Sequence, residues 1–94
     1  MSFINGQTLK ERYRIENRIN AGGFGAIYTC TDLISGDQCL LKTVNVFPGT
    51  PDFFFQNEHV QTEIDILQEL GKIDSCTVYL DSFVIEDRNC LVVE

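Results

Sequence analysis

The chain has 94 residues, 44% of them apolar, and a formal net charge of −7. That length holds one small domain rather than two, and the apolar share excludes a disordered polar chain. The acidic balance argues against a nucleic-acid binder, which carries a basic face. There is no run of about 18 apolar residues, so a membrane-spanning helix is not expected. The N-terminal Met-Ser-Phe-Ile-Asn-Gly-Gln lacks the basic-then-apolar pattern of a secretory signal. Cys30, Cys39, Cys76 and Cys90 form no C-x-x-C pair and stand apart from the lone His59, which gives metal binding little support. They read as reduced thiols, and Cys39 and Cys90, inside apolar runs, as small core hydrophobes. Lys10, Arg12, Arg14 and Arg18 gather near the start, and this cluster reads as a solvated strand face, or else as a polyanion or membrane contact.

Tyr13 to Ile19 alternates apolar and polar residues, the period of a half-buried strand. Asn20 to Gly25 is a turn, and Ala26 to Thr31 a second strand. Asp32 to Asp37 contains Ser-Gly-Asp, a turn signature. Gln38 to Val46 is a third strand whose Cys-Leu-Leu run suggests burial on both faces. The linkers are too short for parallel crossovers, so these strands form an antiparallel meander. Pro48-Gly49-Thr50-Pro51 breaks the pattern, and Thr50 with Pro51 and Asp52 has the makings of a helix cap. Gln56 to Leu70 reads as a helix with Val60, Ile64, Leu67 and Leu70 on one stripe, closed by Gly71. Phe53-Phe54-Phe55 reads as packing that docks the helix start, or else as an exposed docking patch. Val78 to Ile85 and Cys90 to Val93 are two more strands joined by the polar turn Glu86-Asp87-Arg88-Asn89. The expected fold class is α+β: a five-stranded antiparallel sheet with one main helix, in the order β-β-β-α-β-β.

Two segments carry chemistry. Ile19 to Tyr28 reads Ile-Asn-Ala-Gly-Gly-Phe-Gly-Ala-Ile-Tyr, and a lysine follows in Cys39-Leu40-Leu41-Lys42. A glycine-rich hairpin lets backbone N–H groups approach a phosphate, because no Cβ intervenes. A lysine ending the next strand reaches the same phosphates as a point charge. Glu63, on the helix packed over that strand, can pair with the lysine and hold its ammonium towards the phosphates. His59 reads as a plain helix histidine.

These pieces, with the closing Leu91-Val92-Val93-Glu94, resemble the N-terminal lobe of a eukaryotic protein kinase. The resemblance runs from about Leu9 to Glu94, with residues 1–8 as an N-terminal extension and the lobe truncated at the hinge. It implies an ATP site built from Ile19, Asn20, Ala21, Gly22, Gly23, Phe24, Gly25, Ile27, Leu40, Lys42, Val93 and Glu94. Gly22 and Gly25 match the second and third loop glycines, and Phe24 takes the loop tip. Ile27 matches the residue covering adenine, with Ile19 flanking it. Lys42 matches the strand lysine and Glu63 its helix partner. Glu58, five residues earlier, is the rival; the resemblance favours Glu63, directly before the Ile64–Leu67 stripe. Leu67 is expected to pack towards Tyr79. Val93 resembles the gatekeeper and Glu94 the first hinge residue. The Gly-Gly-Phe-Gly-x-Ile-Tyr run looks most like the casein kinase one group, including tau-tubulin kinases.

Asn20 and Leu40 depart from the family pattern. Asn20 stands where the first glycine belongs, and asparagine tolerates left-handed backbone better than most residues. Leu40 puts an isobutyl group where the family has an alanine against adenine. Neither His-Arg-Asp nor Asp-Phe-Gly occurs. These carry the proton-accepting and magnesium-holding aspartates of the family, so the chain holds no catalytic residue of its own and is expected to be inactive alone. The implied parent is a serine/threonine kinase using ATP with magnesium, cytoplasmic or nuclear, with protein substrates bound through a C-lobe absent here. The alternatives are a pseudokinase or a free-standing N-lobe acting as an interaction module. The exposed inner face is then expected to self-associate or bind a partner protein.

Overall fold

A computed structural model describes residues 3–19, 25–46, 49–70 and 78–94, without the side chain of Leu70. The strands are β1 (Thr8–Leu9), β2 (Tyr13–Arg18), β3 (Ala26–Asp32), β4 (Gln38–Thr43), β5 (Tyr79–Ile85) and β6 (Arg88–Val93). One helix, α1 (Pro51–Leu70), lies between β4 and β5. All strand pairings are antiparallel and the sheet order is β1-β2-β3-β4-β6-β5. The fold is α+β, with six strands where five were expected.

The extra strand arises at a turn without a sequence signature. Lys10 and Glu11 both take φ near 55°, so the chain reverses between β1 and β2 through two left-handed residues. Such turns favour Asn and Gly, which hides this one from a composition scan. The segment before it joins the core: Phe3 is buried against the ring of Tyr28, 5.5 Å between centroids, with the Arg88 guanidinium 4.5 Å above it. The last hairpin also turns on two residues, Glu86 and Asp87, at φ 52° and 66°. Arg88 and Asn89 therefore belong to β6 rather than to the expected four-residue turn.

The helix starts five residues earlier than its apolar stripe suggests. Thr50 is the cap: its Oγ1 accepts the Phe53 N–H at 3.1 Å and its carbonyl accepts the Phe54 N–H at 3.3 Å. Pro51 occupies the first turn, where its missing N–H costs nothing, and Asp52 lies at the positive end of the helix dipole. Only Phe53 of the phenylalanine run packs inward; Phe54 and Phe55 are exposed, which corrects the expectation that the run docks the helix.

Two apolar clusters hold the domain together. One lies on the sheet face away from α1 and includes Leu9, Tyr13, Ile15, Tyr28, Cys30, Cys39, Leu41 and Val92. The other joins Val60, Ile64 and Leu67 of α1 to Val44 and Leu91, with Tyr79 and Val93 at its margin. Full burial of a side chain such as Leu67 is worth about 1.5–3 kcal/mol.

The early basic residues are paired rather than simply solvated. Lys10 reaches Asp81 at 3.2 Å, Arg14 reaches Glu16 at 3.0 Å, and Arg12 grips Asp32 with two bonds of 2.9 and 2.8 Å. The Arg12 hydrogen bonds, helped by the Ile34 N–H, hold the Asp32 carboxyl well below the usual carboxylate range. A carboxyl lowered in the fold stabilises it above the unfolded-state value of about 3.9, and the contribution fades as pH falls below that. In Arg12→Gln the deficit in thermal midpoint is therefore expected to be largest near neutrality and to narrow below about pH 4. Melting curves between pH 7 and 2.5 check this; a deficit constant across that range contradicts it.

Candidate nucleotide-phosphate site

Strand alternation sorts the residues of β4 into two sets. Cys39, Leu41 and Thr43 are buried, and Leu40 and Lys42 project to the opposite face, that of α1. Residues paired across antiparallel strands share a face, so register extends this surface. Ile27 stands opposite Lys42, Thr29 opposite Leu40, and on the other side Leu91 opposite Lys42 and Val93 opposite Leu40. Ile27, Leu40, Lys42 and Val93 thus form one half-buried patch. Ile19 borders it: its N–H donates to the Ile27 carbonyl at 2.9 Å and its side chain is exposed. At the far edge the Glu94 N–H donates to the Val78 carbonyl at 3.0 Å.

Lys42 and Glu63 meet. The Lys42 Nζ lies 2.7 Å from Glu63 Oε1, and both side chains keep some contact with solvent, 28% and 19% exposed. A short charge-assisted bond of this kind fixes the direction of a flexible ammonium. His59, one turn before Glu63, places Nε2 3.1 Å from the same oxygen. Glu58 is exposed on the helix and gives its carbonyl to the Thr62 hydroxyl.

Two amide clamps set the helix where this pairing is made. Gln56 Oε1 accepts the Asn45 N–H at 3.2 Å, just past β4. Asn57 Oδ1 accepts the Asn89 N–H at 2.7 Å, and Asn89 Nδ2 returns a bond to the Asn57 carbonyl at 3.1 Å. Together they tie the first half of α1 to the end of β4, the strand of Lys42, and to its neighbour β6. The sequence reading missed Gln56, Asn57 and the approach of His59. Only the helical spacing of His59 and Glu63 carried a local signal.

Gly25 opens β3 at φ +75°, and a Cβ there would run into the backbone carbonyl of Thr43. The glycine therefore lies with its own backbone directly against the residue after Lys42. Asn20, Ala21, Gly22, Gly23 and Phe24 lie outside the described residues. A recess of about 160 Å³ is lined by Thr29, Gln38, Cys39, Leu40 and Glu94. A larger cavity, about 650 Å³, opens among Arg12, Asp32, Asp37, Cys39, Leu80 and Glu94 and does not include Lys42. Chemically, the patch offers an oriented cation beside an apolar surface. Among the described residues no group of three or more His, Cys, Asp or Glu side chains gathers as a metal site. Among the same described residues no helix is long and apolar enough to cross a membrane.

Comparison with known proteins gives the following. The chain is 30% identical, over 93% of its length, to a probable serine/threonine-protein kinase, clkA, of Dictyostelium discoideum. It is 27% identical, over 96% of its length, to a probable serine/threonine-protein kinase, YbdM, of Bacillus subtilis, and 29% identical, over 98%, to the serine/threonine-protein kinase AFC2 of Arabidopsis thaliana. It spans only 10%, 34% and 21% of these three relatives. Among solved structures, the crystal structure of a kinase domain superposes on the whole chain with a TM-score of 0.77 at 20% identity, using 27% of that domain. No protein-family model matches the chain. The fold is that of a protein-kinase N-terminal lobe, and the relatives are protein kinases; none of them singles out the casein kinase group.

Proposed function

We propose that this chain is the ATP-binding lobe of a serine/threonine protein kinase. The observation that carries the proposal is the 2.7 Å pair of Lys42 and Glu63 beside the patch of Ile27, Leu40 and Val93. In this reading Lys42 holds the nucleotide phosphates, Glu63 orients Lys42, and the apolar patch takes the adenine. Backbone N–H groups of the segment from Asn20 to Gly25 cover the phosphates. Magnesium arriving with ATP would neutralise charge on the phosphates, and none of the residues assigned to this site is a candidate to hold it. The aspartates that accept a proton and hold magnesium in kinases do not occur in these 94 residues, so this segment binds and orients rather than transfers. Leu40 favours a second reading, a pseudokinase or regulatory module, because it sits on the same face as Lys42 where it crowds a bound ring.

A charge-assisted contact from Lys42 to phosphate is worth about 1.5–3 kcal/mol, roughly 10- to 150-fold in affinity. Titration calorimetry on the chain is expected to give tighter binding of Mg-ATP than of adenosine by a factor in that range. Lys42→Met is expected to shrink that preference by about 10- to 150-fold, with adenosine binding unchanged. Equal affinity for both ligands in the unaltered chain would overturn the assignment of Lys42.

A further inference from the structure

The two buried thiols of the central hairpin belong to the sheet face opposite Lys42, and they face each other. Cys30 on β3 and Cys39 on β4 are direct cross-strand partners, and their Sγ atoms lie 3.1 Å apart. Partners on antiparallel strands have Cα atoms about 4.5–5.5 Å apart, inside the range of about 4.4–6.8 Å that a disulfide spans. The sulfurs need to close by only about 1 Å to reach the bonded distance of about 2.05 Å. Cys90 differs, since its sulfur lies against the Thr43 hydroxyl at 3.4 Å. Cys30 is wholly enclosed, while Cys39 is slightly exposed and contributes to the walls of both the 160 Å³ recess and the 650 Å³ cavity.

We propose that Cys30 and Cys39 form a two-electron redox site, which a small hydroperoxide entering at Cys39 converts to a cross-strand disulfide. The Cys39 thiolate attacks one peroxide oxygen, the O–O bond breaks, and with hydrogen peroxide one water leaves, giving a sulfenic acid. The Cys30 sulfur then attacks the Cys39 sulfur, forming the S–S bond and expelling the hydroxyl as a second water. In sum the two thiols lose two protons and two electrons, and one peroxide becomes two waters. Burial, foremost, raises both thiols above their usual range. Next, the hydrogen bond between the two thiols raises Cys30 and lowers Cys39; Asp32 and Asp37 push Cys39 up and Arg12 opposes them, and Asp32 and Glu16 push Cys30 up. The pair is therefore quiet at neutral pH and reacts faster in alkali. The bond would lock β3 to β4 beside Leu40 and Lys42, so it bears on the strand that carries the proposed lysine without depending on nucleotide binding.

Peptide mapping tests this cleanly. Tryptic cleavage after Arg18 and Lys42 leaves Cys30 and Cys39 on one fragment, with Cys76 and Cys90 each on another. After treatment of the folded chain with hydrogen peroxide at alkaline pH, the fragment 19–42 is expected to lose two hydrogens and both sites of alkylation together. Dithiothreitol is expected to restore them. In Cys30→Ser the same treatment should leave Cys39 as a sulfenic acid that dimedone captures. The proposal is overturned if fragment 19–42 stays fully alkylatable while Cys76 or Cys90 oxidises. It is equally overturned if Cys30 and Cys39 gain oxygen singly instead of losing hydrogen as a pair.

Discussion

Gly25→Ala is expected to lower the thermal midpoint by about 8–40 °C. Two costs add at this position. An alanine at φ +75° takes up a left-handed backbone, at about 1–2 kcal/mol. Its Cβ also meets the Thr43 carbonyl, a backbone atom of β4 that cannot swing aside, and overpacking costs about 1–3 kcal/mol more. For a domain of this size each kcal/mol moves the midpoint by about 4–8 °C. The control is Gly36→Ala, where φ is +81° but no atom lies within 4 Å of the added carbon. It carries only the conformational cost, so its drop is expected to be about half as large or less. Equal drops in the two variants would mean that contact between the start of β3 and Thr43 contributes nothing.

Leu40→Ala is expected to tighten Mg-ATP binding by about 5- to 150-fold. Leu40 lies across from Val93 on one side and Thr29 on the other, and it walls the small recess that also touches Glu94. A ring seated on Val93 and Ile27 meets its isobutyl group. Relief of overpacking amounts to about 1–3 kcal/mol, which is the stated range in affinity. The side chain is only half-buried, so its removal costs less than the 2–5 kcal/mol typical of a fully buried leucine, and the variant is expected to remain folded. Calorimetry separates the two readings of the chain. Binding in both proteins, tighter in the variant, favours a nucleotide-binding lobe with a tight pocket. Binding in the variant alone favours a module that works without nucleotide. Unchanged affinity would mean that the ring does not lie on Leu40.

Much of the architecture is legible in the chain because its signals are local. The alternation in Tyr13–Arg18, the Ser-Gly-Asp turn and the Val60-Ile64-Leu67 stripe each declare an element within a few residues. What escapes is what depends on unusual backbone or on distant partners. The Lys10-Glu11 reversal uses residues that seldom take left-handed φ, so the first strand and the burial of Phe3 do not show in composition. Thr50-Pro51-Asp52 is a legible cap, but the phenylalanines after it do not follow the helical stripe and conceal the first turn. At the candidate site, Lys42 and Glu63 stand out by type and order. Gln56 and Asn57 do not, because each finds its partner only when α1 lies across the sheet, and an isolated amide on a helix reads as surface. Cys30 and Cys39 are nine residues apart in sequence and face each other only once the β3–β4 register is known.

The most direct test of the central claim is affinity labelling with an acyl-phosphate derivative of ATP, which acylates an amine lying beside the nucleotide phosphates. The chain has three lysines, Lys10, Lys42 and Lys72, and mass spectrometry distinguishes them. If Lys42 is the phosphate-holding residue, it is acylated ahead of the other two, and excess ATP protects it. Equal labelling of all three, or labelling of Lys42 that ATP does not reduce, would contradict the account.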